Sequence, residues 1–209
     1  MPATLTRFIA GQLRQPSGLF GKHLTSRVLN RVSGPMNQRT VELLELHPAE
    51  RVLEVGFGGG DLIDRMAGIV SRGRIVGVDF SSAMVELGRR RFAGLIESGR
   101  LELHCASAEQ LPHDAGQFTK ACTVNTVYFW SDPLVALGEL RRTLRDGGRL
   151  VLSFNPRATA QKLPYTRHGF TLYDGDEMQH LLAEAGFREV RLVTGSQRIG
   201  EFMCAVGTK

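Results

Sequence analysis

The sequence predicts an α/β fold: a doubly wound, mostly parallel sheet of seven strands, with helices on both faces and an antiparallel strand pair at the C-terminus. Three observations predict it. Short β-rich runs alternate with amphipathic stretches from residue 51 onward, the first run ends in a glycine-rich loop, and the last two runs are separated by only a few residues. Repeated strand–helix units favour parallel strands, whereas a short connection permits only antiparallel pairing.

The predicted strands share short runs of apolar and β-branched side chains. The parallel ones lie at 51–55, 74–79, 101–105, 121–124 and 150–154, and the C-terminal pair at 189–193 and 201–206. Helical patterns fill the connections: one at 61–70, one with Met84, Leu87, Phe92 and Leu95 on one face, one after Asp132-Pro133, and one at 176–185 that stops at Gly186. Asp132 is a predicted N-cap with proline at the first helical position.

Length and composition indicate one domain over 1–209. The chain has 209 residues, 42% of them hydrophobic and 22% charged, which is enough to bury a core and too apolar for disorder. No apolar stretch approaches the roughly 20 residues of a membrane span, and the first residues do not resemble a signal peptide. Three cysteines without close pairing predict neither a disulfide framework nor a zinc site. A cytoplasmic, metal-free protein is therefore expected.

The N-terminal arm, residues 1–40, carries the excess positive charge. Of the 26 basic residues, six lie in this arm, which contains no Asp or Glu. The predicted core, 41–209, therefore contains the other 20 basic residues and all 21 acidic residues. Apolar residues recur in the arm at helical spacing: Leu5, Phe8, Ile9 and Leu13, then Leu24, Val28, Leu29 and Val32. The arm is either a helical lid that packs on the core or, through residues 1–35, a contact with an anionic membrane surface.

The glycine-rich loop after the first strand restricts the ligand. Gly56, Gly58 and Gly60 stand where an open α/β sheet places its ligand, and glycine permits sharp turns and close approach. A dinucleotide fingerprint requires a further glycine where Asp61 stands, and the Gly-Lys-Ser/Thr of a P-loop is absent. The loop is thus predicted to face a nucleoside without phosphate, with Asp79 accepting hydrogen bonds from its ribose.

Four ordered motifs resemble those of the class I S-adenosylmethionine-dependent methyltransferases, particularly the small-molecule branch. They lie at 54–60 (acidic-x-Gly-x-Gly-x-Gly), 77–84, 108–112 and 144–150, within a similarity that covers about residues 40–207. Two positions depart from the pattern: Ser107 replaces a common Asp, and Asp146 replaces a common Pro. The resemblance implies a Rossmann-like fold and S-adenosylmethionine as cofactor.

The resemblance also implies roles for individual residues. The three loop glycines would approach the methionine part of the cofactor, and Asp79 would take the ribose. Glu54 would either orient the loop or reach the amino group of the cofactor through water. The other expected cofactor contacts are Phe80 and Met84 on the adenine, Ser107 and Ala108 at its edge, and Asn125 at the end of the fourth strand, which faces the methyl group in this fold.

The segment 125–130 bears on the acceptor. It lacks the paired prolines of amino-methylating nucleic-acid enzymes and the carboxylates of the metal-dependent catechol branch. Tyr128, Phe129 and Trp130 instead predict a pocket for a small acceptor that is either flat, including an aromatic one, or cationic, although strand alternation would bury Phe129. Methyl transfer is an in-line displacement that depends mainly on alignment, so a general base is optional.

Candidate bases are His168, Tyr165 and Tyr128. His168 is the first choice because it shares with Tyr165 the segment after the fifth strand, which covers the acceptor in many relatives. His113 in the adenine loop is a weaker candidate. His104 in the third strand is expected to be packed or hydrogen-bonded, and Cys105 and Cys122 are expected in the core.

Four functional hypotheses remain open at this stage. The first is a metal-independent methyltransferase acting on a small organic acceptor at N, O or S. The second is a phospholipid or lipid-quinone methyltransferase that uses the basic arm at a membrane. A nucleic-acid modifier is favoured by the sequence pI of 9.5 but disfavoured by segment 125–130. The fourth is a non-catalytic binding protein.

Overall fold

The computed structural model describes residues 3–14 and 33–209 and contains one seven-stranded sheet with the order β3-β2-β1-β4-β5-β7-β6. The strands are β1 (Arg51–Val55), β2 (Arg74–Asp79), β3 (Leu101–Cys105), β4 (Phe118–Val124), β5 (Leu144–Phe154), β6 (Arg188–Gln197) and β7 (Gly200–Thr208). The first five are parallel neighbours, and β7 runs antiparallel to both β5 and β6. The predicted fold class is confirmed.

The helices pack around this sheet. They are α1 (Ala3–Arg14), α2 (Gly34–Leu44), α3 (Asp61–Ala67), α4 (Ser82–Arg91), α5 (Ala93–Glu97), α6 (Pro133–Thr143), α7 (Arg157–Ala160) and α8 (Gly175–Glu184). Asp132 caps α6 as predicted, because its carboxylate accepts the N–H groups of Leu134 and Val135. The single helix predicted after β2 is broken at Phe92, whose buried ring lies against the glycine loop.

Several strands extend beyond their predicted bounds. The first three match the prediction, but β4 begins at Phe118 and β5 at Leu144. Lys120 pairs with Val52 on one side and with Arg149 on the other. Polar residues thus enter the sheet because neighbouring strands satisfy their backbone groups, which hydrophobic periodicity does not reveal.

Two apolar clusters cover the two faces of the sheet. Alternate residues of one strand enter different clusters: Leu150 and Leu152 belong to the first, and Val151 to the second. Helices α6 and α8 cover the first face, and helices α2, α3 and α4 cover the second. The strand ends between these layers are left to form the site.

Helix α1 is the described part of the basic arm, together with the start of α2; the predicted apolar positions Leu24, Val28, Leu29 and Val32 lie outside the described residues. Helix α1 contacts the 3-10 turn Pro164–Arg167 through its face with Thr6 and Ala10. Leu5 and Phe8 are 45% and 58% exposed, so these two of the predicted apolar positions lie away from the packed face. In residues 3–14 and 33–209, no helix has the length and apolarity to cross a bilayer.

Candidate functional site

A cavity of about 420 Å³ opens at the carboxyl ends of β1, β2, β4 and β5, where the strand order reverses. This volume lies in the range of small-molecule sites. Two parts of its wall differ in chemistry. The glycine-loop half comprises Glu54, Gly56, Gly58, Asp61, Asp79, Phe80, Met84, Ser107, Ala108 and Glu109. The aromatic half comprises Leu13, Ser33, Asn125, Tyr128, Phe129, Trp130, Asn155, Leu163, Tyr165 and Phe170.

The three loop glycines all have positive φ, of 78°, 48° and 76°, but for different reasons. A Cβ on Gly56 would lie 2.1 Å from Thr126 Cγ2, whereas a Cβ on Gly58 would meet no protein atom within 4 Å. Gly60 does not line the cavity; it is the left-handed N-cap of α3, and a Cβ there would strike the Phe92 ring at 2.5 Å. Its expected approach to a ligand is therefore replaced by a packing role.

Two buried carboxyl groups lie beneath this loop. Asp79 Oδ2 accepts the N–H of Gly58 and Oδ1 accepts that of Ser81, both at 2.9 Å. Burial raises the pKa of Asp79, and these two hydrogen bonds oppose the rise. Burial, together with the neighbouring charges of Asp79 and Asp61, raises the pKa of Glu54 to about 8. Glu54 Oε2 is buried and has no hydrogen-bond partner within the described residues.

Apolar surfaces complete the glycine-loop half. Phe80 is 44% exposed, Met84 is buried, and both line the cavity. Ser107 and Ala108 lie on the same wall, and Ser107 Oγ accepts the N–H of Glu109 at 3.2 Å. The structure therefore brings the residues expected around an adenine to one place.

A 3-10 turn, Val127–Phe129, builds much of the aromatic half. Strand alternation does not apply to this turn, so Tyr128, Phe129 and Trp130 all reach the cavity, and the expected burial of Phe129 is wrong. The ring centroid of Phe129 lies 4.6 Å from that of Phe170, a residue that sequence reasoning missed. The only feature of the sequence that could have indicated Phe170 is that it is an aromatic residue in the segment between β5 and α8.

Polar side chains also line the aromatic half; sequence reasoning missed one of them, Asn155, and its hydrogen-bond partner Gln197 behind the wall. Asn125, with φ of 58°, contacts Tyr128 and Asn155, and Asn155 contacts Gln197 from the end of β6. The Tyr128 hydroxyl is buried, which raises the pKa of that group strongly. Asn155 and Gln197 lie far along the chain from β4, so no local pattern links them to Asn125.

The predicted bases occupy different environments. Tyr165 lines the cavity, and burial raises its pKa. His168 does not line it; its Nε2 lies 2.9 Å from Thr6 Oγ1 of helix α1. His113 packs edge-on against Phe118 and His104, with its pKa lowered mainly by burial. Within the described residues, the cavity wall contains no imidazole.

Of the two cysteines expected in the core, one is buried and the other is not. Cys122 is buried in the core of the sheet, whereas Cys105 is exposed. The prediction for Cys105 is wrong because β3 is an edge strand and this residue is its last. In the part of the chain that the structure describes, no three His, Cys, Asp or Glu side chains are grouped to hold a metal ion.

Comparisons with known proteins address the family. Residues 52–148 match the family model described as "Methyltransferase domain". Over 113 residues, the chain is 35% identical to a ubiquinone/menaquinone biosynthesis C-methyltransferase of Geobacter sp., covering 54% of this chain and 48% of that one. Over 174 residues, it is 27% identical to an uncharacterized methyltransferase of Bacillus subtilis, covering 83% of this chain and 91% of that one.

A solved structure shares the fold: a SAM-dependent methyltransferase from Aquifex aeolicus has a TM-score of 0.72 and 17% identity, covering 88% of this chain and 97% of that one. The matched domain, the methyltransferase relatives and the shared fold together support a class I S-adenosylmethionine-dependent methyltransferase. The chain nevertheless spans less than half the length of the Geobacter relative and 32% of that of a Streptomyces fradiae transposon protein, 37% identical over 113 residues.

S-adenosylmethionine is the cofactor of this family, and the residues of the glycine-loop half fit it. The buried, unpartnered Glu54 Oε2 suits an ammonium group, since a buried polar atom requires a partner. The open space at Gly58 permits close approach of a ligand to the backbone. Phe80 and Met84 offer apolar surface for a purine. Methyltransferases of this class need no phosphate site, which agrees with Asp61 at the start of α3.

Proposed function

We propose that this chain transfers the methyl group of S-adenosylmethionine to a small, flat, largely apolar acceptor held in the aromatic half. One observation carries the proposal: a single cavity joins a glycine loop with two buried carboxyl groups to a cluster of aromatic rings. The carboxyl groups suit a cationic ligand, and the rings suit a flat acceptor.

The cofactor contacts follow from where the residues lie. Gly56 and Gly58 would let the methionine part approach the backbone, and Glu54 would take the amino group. Asp79 would accept from the ribose through lone pairs not used by the N–H groups of Gly58 and Ser81. Phe80 and Met84 would pack on the adenine, Ser107 and Ala108 would face its edge, and Asn125 would lie at the methyl group.

Alignment is the proposed source of catalysis. The bound cofactor supplies an electrophilic methyl group, and orientation of the reactants can contribute roughly 7–11 kcal/mol. The raised pKa values of Tyr128 and Tyr165 keep both hydroxyls protonated near neutral pH, so they serve as walls and hydrogen-bond donors rather than bases. His168 is held by Thr6 away from the cavity, and we assign it no base role. The acceptor must therefore bring its own nucleophilic N, O or S atom.

Methyl-labelled S-adenosylmethionine incubated with the protein and a cell extract tests this proposal. We expect label in a small molecule of the aqueous or organic phase. Asp79→Ala should abolish the transfer, whereas Asp146→Ala, whose side chain is 96% exposed, should not. Failure of the wild-type protein to bind S-adenosylhomocysteine in calorimetry would refute the proposal.

A lipid acceptor, a phospholipid or a lipid quinone, is the second candidate. The observation that favours it is the outer face of helix α1, where the apolar side chains of Leu5 and Phe8 are exposed beside Arg7. The arm contains no acidic residue, and each basic residue near an anionic surface adds about 1 kcal/mol of attraction. Leu13 of the same helix lines the cavity, so a membrane contact there would adjoin the site.

Co-sedimentation with anionic phospholipid vesicles tests the second candidate. The wild-type protein should pellet with vesicles, and the double variant Leu5→Ser/Phe8→Ser should remain in the supernatant. Val135→Ser is the matched control, because Val135 is 48% exposed on helix α6 and lies outside the arm. Equal behaviour of the double variant and the wild type would exclude this face as a membrane contact.

A further inference from the structure

The polar side chains of the aromatic half form a chain of hydrogen bonds with a defined direction. It begins at the backbone N–H of Asn155, which can only donate and which points to the Tyr128 hydroxyl oxygen. The Tyr128 hydroxyl must then donate its own hydrogen bond to another acceptor. Asn125 Oδ1 lies 3.2 Å from that hydroxyl and the Asn155 carbonyl oxygen 3.3 Å. The atom of Asn125 that faces Tyr128 is therefore its oxygen.

A second arm of the chain runs in the same direction. Gln197 Nε2 donates to Asn155 Oδ1 at 2.6 Å, which turns the other end of the Asn155 amide toward Asn125. Asn155 Nδ2 accordingly donates to Asn125 Oδ1 at 3.2 Å. Two donors converge on one oxygen, so the Asn125 side chain cannot reverse without losing both hydrogen bonds.

The opposite end of the Asn125 amide is left for a ligand. Asn125 Nδ2 carries two N–H groups; one donates to Ser33 Oγ at 3.3 Å, and the other has no acceptor among the described residues. Asn125 and Ser33 both line the cavity. Asn125 also has a φ of 58°, a conformation that non-glycine residues adopt at a cost and that is concentrated at functional sites.

We infer that Asn125 Nδ2 donates a hydrogen bond to an anionic oxygen of the acceptor, that Asn155 and Gln197 are positioning residues, and that the acceptor is a flat phenol or enol bound as its anion. This inference rests on the proposed function. The described aromatic half contains no Lys, Arg or His side chain, so the anion would be stabilised by neutral donors, among which the free N–H of Asn125 has a fixed direction. The carboxyl groups, Glu54, Asp61, Asp79 and Glu109, all belong to the glycine-loop half.

The methyl-transfer step balances without a base. An electron pair on the oxygen of the anion forms a bond to the methyl carbon, while the carbon–sulfur bond breaks and its electron pair remains on sulfur. The anion and the sulfonium cation become a neutral product and a thioether. An acceptor that binds already ionised leaves no proton to be removed in this step, which agrees with the lack of an imidazole among the described residues of the cavity wall.

Absorbance titration of 4-nitrophenol tests the inference, because its ionised and neutral forms have different spectra. The probe is titrated against protein saturated with S-adenosylhomocysteine, at pH values above and below the pKa of the free phenol. The wild-type protein should prefer the anion. Asn125→Ala, likewise saturated with S-adenosylhomocysteine, should reduce this preference by about tenfold or more, the loss of one charge-assisted hydrogen bond.

The variant Gln197→Glu shows whether the direction of the hydrogen bonds, rather than the packing of this side chain, sets the anion preference. A carboxylate has nearly the shape of the amide but can only accept, so it should turn the Asn155 amide and place its oxygen toward Asn125. We expect Gln197→Glu to lose the anion preference at least as completely as Gln197→Ala. The matched control, Gln179→Ala, removes an exposed side chain that donates to the Val190 carbonyl and should have no effect.

The outcomes separate this inference from the proposed function. Absence of S-adenosylhomocysteine binding by the wild type refutes the proposed function. Normal S-adenosylhomocysteine binding with no nitrophenol binding, with equal affinity for the two forms, or with an unchanged preference in Gln197→Glu overturns the inference alone.

Discussion

The two halves of the cavity differ in how far apart their residues lie along the chain. The glycine-loop half is built from turns that directly follow β1, β2 and β3. The aromatic half combines helix α1, the 3-10 turn after β4, Asn155 after β5 and the covering segment with Tyr165 and Phe170. A ligand that is bound largely by backbone geometry requires fixed local motifs, whereas an acceptor pocket can be assembled from distant side chains.

The halves also differ in charge. The glycine-loop half contains the carboxyl groups, including Glu54 and Asp79, which are buried with raised pKa values. The aromatic half contains amides, tyrosine hydroxyls and apolar rings. A cation beside these carboxyl groups would lower their raised pKa values and stabilise their charged forms, so we expect the cationic part of the ligand there and an uncharged or anionic acceptor in the aromatic half. Changes confined to one half should affect one ligand and spare the other.

Gly56→Ala should have the largest effect, and it should act on the glycine-loop half. The new Cβ would lie 2.1 Å from Thr126 Cγ2, and the φ of 78° is unfavourable for alanine. We expect no measurable S-adenosylhomocysteine binding in calorimetry and a lower melting temperature. Gly138→Ala in α6, where a Cβ would meet nothing within 4 Å, should bind normally and gain up to about 1 kcal/mol of stability.

Glu54→Gln should change the pH dependence of stability. Folding raises the pKa of Glu54 from its usual value near 4.5 to about 8, so the folded protein holds this proton more tightly than the unfolded chain does. The resulting contribution to the free energy of unfolding is complete below pH 4.5 and is lost as the pH rises through 8. The loss reaches several kcal/mol, since each unit of pKa corresponds to about 1.4 kcal/mol.

Urea denaturation at pH 5 and pH 8.5 measures this change. The free energy of unfolding should fall less with pH in Glu54→Gln than in the wild type. Glu97→Gln, a substitution of an exposed glutamate on α5, should follow the wild type. An equal fall in Glu54→Gln and the wild type would show that Glu54 is ionised at low cost in the folded protein.

Asp79→Asn should weaken cofactor binding to a smaller extent. The amide retains one acceptor oxygen, so one of the N–H groups of Gly58 and Ser81 loses its partner. One charge-assisted hydrogen bond corresponds to about 1.5–3 kcal/mol, or roughly tenfold to a hundredfold in the dissociation constant of S-adenosylhomocysteine. Calorimetry measures it, with Asp146→Asn as the control. Unchanged affinity would show that the ribose lies elsewhere.

His168→Ala should have the smallest effect. It removes a contact with Thr6 and loosens helix α1 at a cost of about 1 kcal/mol in unfolding free energy. Methyl transfer, followed with labelled cofactor, should stay within a few-fold of the wild type, as should that of His180→Ala on the exposed face of α8. A hundredfold loss of transfer without a loss of stability would restore His168 as a base in the aromatic half.

The glycine-loop half was largely predictable from the sequence because its determinants are local. Positive φ at Gly56 and Gly58 requires glycine, and strand ends β1 and β2 place Glu54 and Asp79 beside them. Gly60 is the exception. Its spacing matches the motif, yet its position is fixed by a helix N-cap and by the distant Phe92 ring.

The aromatic half was predictable only in composition. Segment 125–130 indicated aromatic residues but not the 3-10 turn that exposes Phe129 to the cavity. His168 was favoured by its position in the covering segment, but tertiary packing pairs it with Thr6, 162 residues earlier in the chain. Contacts between distant side chains depend on how elements pack, and hydrophobic periodicity does not encode them.

The layered α/β fold, the strand ends that form the site and the residues of the glycine loop all follow from short stretches of sequence, because backbone conformation and strand alternation depend on neighbouring residues. The side chains that complete the cavity, and the directions of their hydrogen bonds, depend instead on how distant elements pack. The orientation of the Asn125 amide depends on Asn155 and Gln197, which meet it only because β4, β5 and the β6–β7 hairpin end close together in space.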